Sequence, residues 1–216
     1  MKKSIHYIAV VLILLPFAYL FLIWKQLPDI VPTHWSIHEI DRFGSKRELL
    51  LLLSILSVTN GLVYLLLCNI YRIDPKKQAI ENKGRLQKIA LAVVIFISAL
   101  EVWITYTTKK AEPFFSAKFI FIGIGLLFSI IGNYMYNLKP NWFAGLRLPW
   151  TLENEDNWRR THHLASKLWF AGGLLMALFG FILPFTPAVF AIFIIGAGLI
   201  IVPCVYSYRL YKKLQS

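Results

Sequence analysis

Ala9-Val10-Val11-Leu12-Ile13-Leu14-Leu15 is an uninterrupted apolar run. It does not alternate, so it does not read as a strand of a membrane barrel, whose residues face lipid and lumen in turn. Extended outward, the run becomes an apolar block over 5–24, close to the roughly 20 residues with which a helix crosses a hydrocarbon core about 30 Å thick. Five further blocks follow, at 49–70, 89–106, 118–136, 167–183 and 188–206. Apolar residues make up 57% of the 216, more than one soluble core of this length uses. The predicted fold class is an all-α integral membrane protein, a bundle of about six transmembrane helices. Lys2 and Lys3 precede the first block as in a signal peptide, but no small-x-small cleavage site follows Trp24, so a retained span is expected. Cys68 and Cys204 both fall inside spans, which argues against a disulfide framework.

The net charge of +12 acquires meaning once it is assigned to sides. Basic loops stay on the cytoplasmic face. With both termini cytoplasmic, sixteen of the 23 Lys and Arg residues lie inside, leaving about +11 there against about +2 outside. The basicity is therefore a topology signal, with the lipid bilayer as partner and no direct nucleic-acid role expected.

Three segments organise the chain: a two-span unit over 1–70 with an extracytoplasmic loop at 25–48, a basic cytoplasmic loop at 71–88, and a four-span unit over 89–216 with a cytoplasmic motif loop at 137–166. In the outer loop, Pro28 and Pro32 hold the backbone extended and Gly44 offers a turn before the second span. The candidate residues there are Pro28, Pro32, His34, Trp35, Asp41, Gly44 and Lys46, with Trp35 and Phe43 expected to pack toward the membrane interface. His34, His38 and Glu39 have a spacing that brings ligands together on a helix. Pro32 leaves room for a short helix only and no third ligand has a fixed spacing, so no metal site is expected.

The inner loop reads Asn141-Trp142-Phe143-Ala144-Gly145-Leu146-Arg147-Leu148-Pro149-Trp150-Thr151-Leu152. Thr151 is placed as a helix N-cap, and Glu153, Glu155 and Asp156 in the next turn complement the positive end of the helix dipole. Arg147, between Gly145 and Pro149, sits in a constrained turn suited to clamping a carboxylate or helix-end carbonyls. The binding or signalling candidates are Asn141, Gly145, Arg147, Pro149, Trp150, Thr151, Trp158 and His162.

Inside the spans, Glu101 is the one acidic residue, with Lys109 or Lys118 as potential partners. Gly125, Ser129 and Asn133 repeat every four residues along one face of the fourth span, and Gly173, Ala177 and Gly180 mark the fifth, a pattern that first indicates close helix packing. Glu101 and Asn133 are the intramembrane polar candidates for a substrate path. No catalytic constellation emerges, because His162 and His163 are adjacent and point to different helix faces, and no nucleophile context or Gly-rich loop is present. Neither an enzyme nor a cofactor is expected.

The segment from Asn133 to Gly173, with Asn141 through Arg147, Pro149-Trp150-Thr151-Leu152, Trp158, His162 and Lys167-Leu168-Trp169, resembles the SdpI family of bacterial membrane immunity proteins. The pattern from Leu27-Pro28 through Pro32 and His34 to Gly44-Ser45-Lys46 is similar to a domain of unknown function that often precedes that module. It lacks the glycine usual between His38 and Glu39. The resemblance implies a six-span plasma-membrane protein that protects its cell against a secreted toxic peptide, and that signals by holding a cytoplasmic transcriptional repressor at the membrane. The alternative from the residues themselves is a small transporter or export factor with a polar path near Glu101.

Overall fold

In a computed structural model, residues 4–35, 40–110 and 117–215 are described. Seven helices occur among them: α1 (Ser4–Ile23), α2 (Lys46–Asn69), α3 (Lys83–Lys110), α4 (Ala117–Met135), the single-turn α5 (Pro149–Glu153), α6 (Glu155–Ile182) and α7 (Phe185–Gln215). Six are long and apolar enough to cross a membrane. The protein is a multi-pass membrane protein, and the expected all-α class holds. Backbone groups in lipid must bond within their own segment, which is why the apolar blocks close into helices.

The fifth span starts earlier than the apolar block at 167, because α6 runs unbroken from Glu155. Its cap is Asn154, whose side-chain oxygen accepts from the Asn157 amide at 2.9 Å. Thr151 is not the N-cap. It lies inside α5, where its Oγ1 accepts from the Leu148 amide at 2.9 Å.

By contacts the chain forms two compact units, Met1–Leu65 with Ala90–Ala117, and Leu66–Ile89 with Lys118–Ser216. From Ala90 onward α3 therefore groups with α1 and α2, whereas the sequence reading placed 89–216 together. Polar bonds explain the grouping: the Ser57 hydroxyl of α2 lies 3.1 and 3.0 Å from the two carboxylate oxygens of Glu101 on α3, and Asn60 Nδ2 donates to Ser98 Oγ at 3.3 Å. Glu101 is fully buried. Its contact is thus a hydroxyl of the neighbouring helix, while Lys118 donates to the Phe181 carbonyl at 3.4 Å.

The outer segment of the first unit contains two antiparallel strands, β1 (Ile30–Trp35) and β2 (Ile40–Ser45). Pro32 is tolerated because each strand of a two-stranded ribbon is an edge. Gly44 lies within β2 opposite Val31 rather than in a turn. The base of the ribbon is packed: Leu27 and Val31 join Leu20, Ile23, Leu49, Leu53 and Ile104 in one buried apolar cluster.

In the second unit, α4 and α6 touch backbone to backbone. A Cβ on Gly125 would lie 2.5 Å from the Gly173 carbonyl oxygen, and one on Gly173 would lie 2.5 Å from the Gly125 oxygen. Ser129 Oγ completes the seam by donating to the Phe170 carbonyl at 2.9 Å. Small residues at such a contact let dispersion and hydrogen bonding act where lipid offers no hydrophobic drive. Gly132, against Phe170, occupies the place that spacing assigned to Asn133, which is exposed. Gly173→Ala is expected to force the helices apart at a cost of about 1–3 kcal/mol. A lower Tm of the detergent-solubilised chain would show it. Gly61→Ala, whose methyl meets nothing within 4 Å, is the control that leaves Tm unchanged or raises it.

Candidate functional site

The motif loop is built around side chains that satisfy backbone groups. Asn141 is buried, and its Oδ1 accepts from the amides of Phe143 (2.9 Å) and Ala144 (2.6 Å), while its Nδ2 donates to the carbonyls of Lys139 and Ala144, both at 3.0 Å. One side chain thus fixes the turn. The chain then needs a left-handed residue to reverse toward α5, and Gly145 supplies it with φ +100°. Gly145 also lets the loop approach His162, since a Cβ there would collide with His162 Nε2.

His162 is fully buried and its two ring nitrogens have different tasks. Nδ1 lies 2.8 Å from the Trp158 carbonyl, which can only accept, and Nε2 lies 3.1 Å from the Leu146 amide, which can only donate. The partners fix the tautomer with the proton on Nδ1. Trp158 stacks on His162 with ring centroids 4.0 Å apart and donates its indole N–H to the Leu138 carbonyl at 2.7 Å. Trp158 and His162 therefore hold both ends of the loop onto α6.

A second set of bonds ties α5 and α6 to α7. Trp150 Nε1 donates to Ser207 Oγ (2.8 Å), the Ser207 hydroxyl donates to Asn157 Oδ1 (2.9 Å), and Asn157 Nδ2 donates to the Ser207 carbonyl (3.0 Å). Thr161 Oγ1 adds a bond to Asn157 Oδ1 at 3.0 Å. The Trp150 ring lies against Tyr208 and Tyr211. The Thr151 hydroxyl lies 2.9 Å from each of the Leu146 and Leu148 carbonyls, between which its one proton is shared, and Pro149 opens α5 where no N–H is needed.

The preceding loop is part of this assembly. Asp74 Oδ2 accepts from the Trp142 amide (2.8 Å), and Asn82 pairs both ways with the Lys139 backbone, at 3.0 and 2.8 Å. Lys76 Nζ donates to the Leu152 carbonyl at 2.5 Å. Sequence reasoning missed Asp74, Asn82, Asn157 and Ser207. Asp74-Pro75 signals a local turn, but nothing in spacing announces a partner 68 residues away.

Arg147 is the charged member of the candidate set, and it is exposed, as are Gly145 and Pro149. One guanidinium nitrogen donates to the Trp142 carbonyl at 2.8 Å, and the rest of the group borders a cavity of about 560 Å³. The seven other motif candidates, Asn141, Gly145, Pro149, Trp150, Thr151, Trp158 and His162, come together in one clasp, in which the motif loop and α5 are bonded to α6 and α7.

These bonds lie largely within a recognisable module. Residues 137–207 match the SdpI/YfhL protein family, and residues 11–58 match a domain of unknown function, DUF1648. The chain carries an SdpI-family segment. The chain is also 26% identical over 217 residues to the immunity protein SdpI of Bacillus subtilis (strain 168), a match covering 100% of this chain and 99% of that protein. No solved structure gives a significant match. The SdpI-family segment begins just before Leu138 and ends at Ser207, so the Trp158, His162 and Ser207 contacts all fall inside it.

The outer ribbon gathers the other candidates. His34 Nδ1 lies 2.6 Å from Asp41 Oδ1 across the two strands. Lys46 Nζ lies 2.8 Å from Asp29, and its ammonium holds that exposed carboxyl below the usual carboxylate range by hydrogen bonding and by charge. The same ammonium lies 5.5 Å from the centre of the Trp24 ring. Ser45 and Glu48 cap α2 reciprocally, the Ser45 amide donating to Glu48 Oε1 at 3.1 Å and the Glu48 amide to Ser45 Oγ at 3.3 Å. Pro32 pairs with Phe43 in the ribbon, Pro28 precedes it, and Trp35 ends β1. Phe43 is exposed. His38 and Glu39, which entered the metal spacing, lie outside the described residues.

Proposed function

We propose that this chain is a membrane immunity protein that protects its cell from a secreted, membrane-active peptide by binding rather than by chemical conversion. The observation that carries the reading is the full-length similarity to the immunity protein SdpI of Bacillus subtilis. Two ordered loop structures support it, since membrane proteins with purely structural connections keep them short. With the amino terminus inside, as the basic loops indicate, the ribbon faces outward, where a secreted peptide arrives. The clasped motif then faces the cytoplasm, where it holds a transcriptional repressor when toxin is present. Expressing the chain in a peptide-sensitive host tests the protective role: survival rises under the cognate peptide, and unchanged killing by every candidate peptide counts against it. Retention of a DNA-binding protein on membranes after peptide exposure tests the signalling step.

A small transporter or export factor is the second reading, and the observation that favours it is the carboxyl of Glu101 buried within a span beside Ser57. Glu101→Gln preserves size and hydrogen bonding but removes the ionisable group. On the binding account the variant is expected to protect within about twofold of wild type, a difference of roughly 0.4 kcal/mol. Loss of protection at equal membrane abundance would favour transport.

A further inference from the structure

The cavity of about 560 Å³ beside the motif loop is lined by Lys76, Trp142, Arg147, Pro149, Leu152 and Glu153. Its two cations are anchored in place, because Arg147 donates to the Trp142 carbonyl and Lys76 to the Leu152 carbonyl. Each keeps further N–H groups beyond the single bond to its carbonyl, since a guanidinium has five and an ammonium three. Glu153 offsets one of the two charges and leaves the walls with a net charge near +1.

The place of this cavity narrows its ligand. Lys76 is four residues past Arg72, where the second candidate span ends, and Glu153 is two residues before Glu155, where the fifth begins. Trp142 is held to Asp74 by its amide. At no more than about 3.6 Å per residue, Lys76 and Glu153 each stay within about 15 Å of a span end before side-chain length is added, and Arg147 is tied to the same level by its bond to the Trp142 carbonyl. The polar headgroup layer begins there. Trp142 is 48% exposed and Phe143 is 39% exposed, two adjacent aromatic residues at the level where such rings anchor in headgroups.

We propose that the Lys76–Arg147 cavity binds the phosphate of an anionic phospholipid. A net charge near +1 complements a monoanionic phosphodiester such as that of phosphatidylglycerol, and the exposed Trp142 ring lies against the glycerol and upper acyl chain. The proposal does not depend on the immunity reading, since it is argued from the cavity's own charges and its place beside the spans.

The test is thermal unfolding of the purified full chain in detergent, with phosphatidylglycerol, phosphatidylcholine or inorganic phosphate added in separate arms. The expected result is a saturable rise in Tm with phosphatidylglycerol alone. Lys76→Ala and Arg147→Ala each raise the half-saturating lipid concentration by about fivefold, the usual effect of one basic group at an anionic surface. Glu153→Gln shifts it the opposite way, which separates a lost site from a damaged fold. Equal stabilisation by phosphatidylcholine overturns the proposal, as does a half-saturating phosphatidylglycerol concentration that none of the three substitutions moves. If inorganic phosphate in the same concentration range reproduces the rise, the site is one for a free anion and the lipid assignment fails. Displacement of the lipid by a short acidic peptide at lower concentration would assign the cavity to a protein partner and overturn it too.

Discussion

Gly145→Ala is expected to destabilise the second unit by about 2–5 kcal/mol, from two additive causes. A left-handed backbone costs a residue with a Cβ about 1–2 kcal/mol, and Gly145 has φ +100°. The new methyl would also occupy the position of His162 Nε2, displacing the acceptor of the Leu146 amide. A donor left without a partner away from water costs about 1–3 kcal/mol. Chemical or thermal unfolding in detergent measures the sum. The two causes separate in a His162→Ala background, where the methyl has room and the backbone cost alone remains. A Gly145→Ala penalty that is unchanged in that background would mean that the ring and the loop are not coupled as described.

Trp158→Ala is expected to cost about 3–5 kcal/mol, the range for emptying a buried aromatic site. Trp158 is 1% exposed, stacks on His162 and holds the Leu138 carbonyl, so the loop loses its anchor at the start and its support at His162 together. Trp158→Phe keeps the stacking surface but not the N–H, and is expected to lose about 1–3 kcal/mol. Loss of the loop's protection from proteolysis on the membrane would be the visible consequence of the alanine variant. A Tm within a degree of wild type for Trp158→Ala would contradict the anchoring role.

The six spans were legible because they rest on length and apolarity, two properties that survive any packing arrangement. The motif residues were legible as a group, and the structure draws seven of them into one clasp. What the sequence obscured were choices between neighbours. Thr151 looks like an N-cap, yet Pro149 has already begun a turn, and Asn154 two residues before Asp156 takes the cap of α6. Asn133 and Gly132 compete for the same helix face, and backbone contact with Phe170 selects the glycine. The ribbon was hidden by Pro32, which excludes a central strand but not an edge one. Glu101 was matched with lysines near it in sequence or by topology, whereas the bond that forms is to Ser57, 44 residues earlier. Such choices depend on contacts between distant segments, which local spacing does not encode.

We propose that the ribbon is where the secreted peptide is met. The most direct measurement is the lethal peptide concentration for a sensitive host that expresses wild-type chain or a His34→Ala, Phe43→Ala variant, compared at equal abundance in the membrane. His34 is a largely exposed side chain hydrogen-bonded to Asp41 and Phe43 is 56% exposed, so the variant is expected to change stability by less than about 1 kcal/mol. Wild type is expected to raise the lethal concentration at least about tenfold, the equivalent of roughly 1.4 kcal/mol, and the ribbon variant to return it toward that of cells lacking the protein. A wild-type chain that inserts fully but leaves the lethal concentration unchanged for every candidate peptide would contradict it.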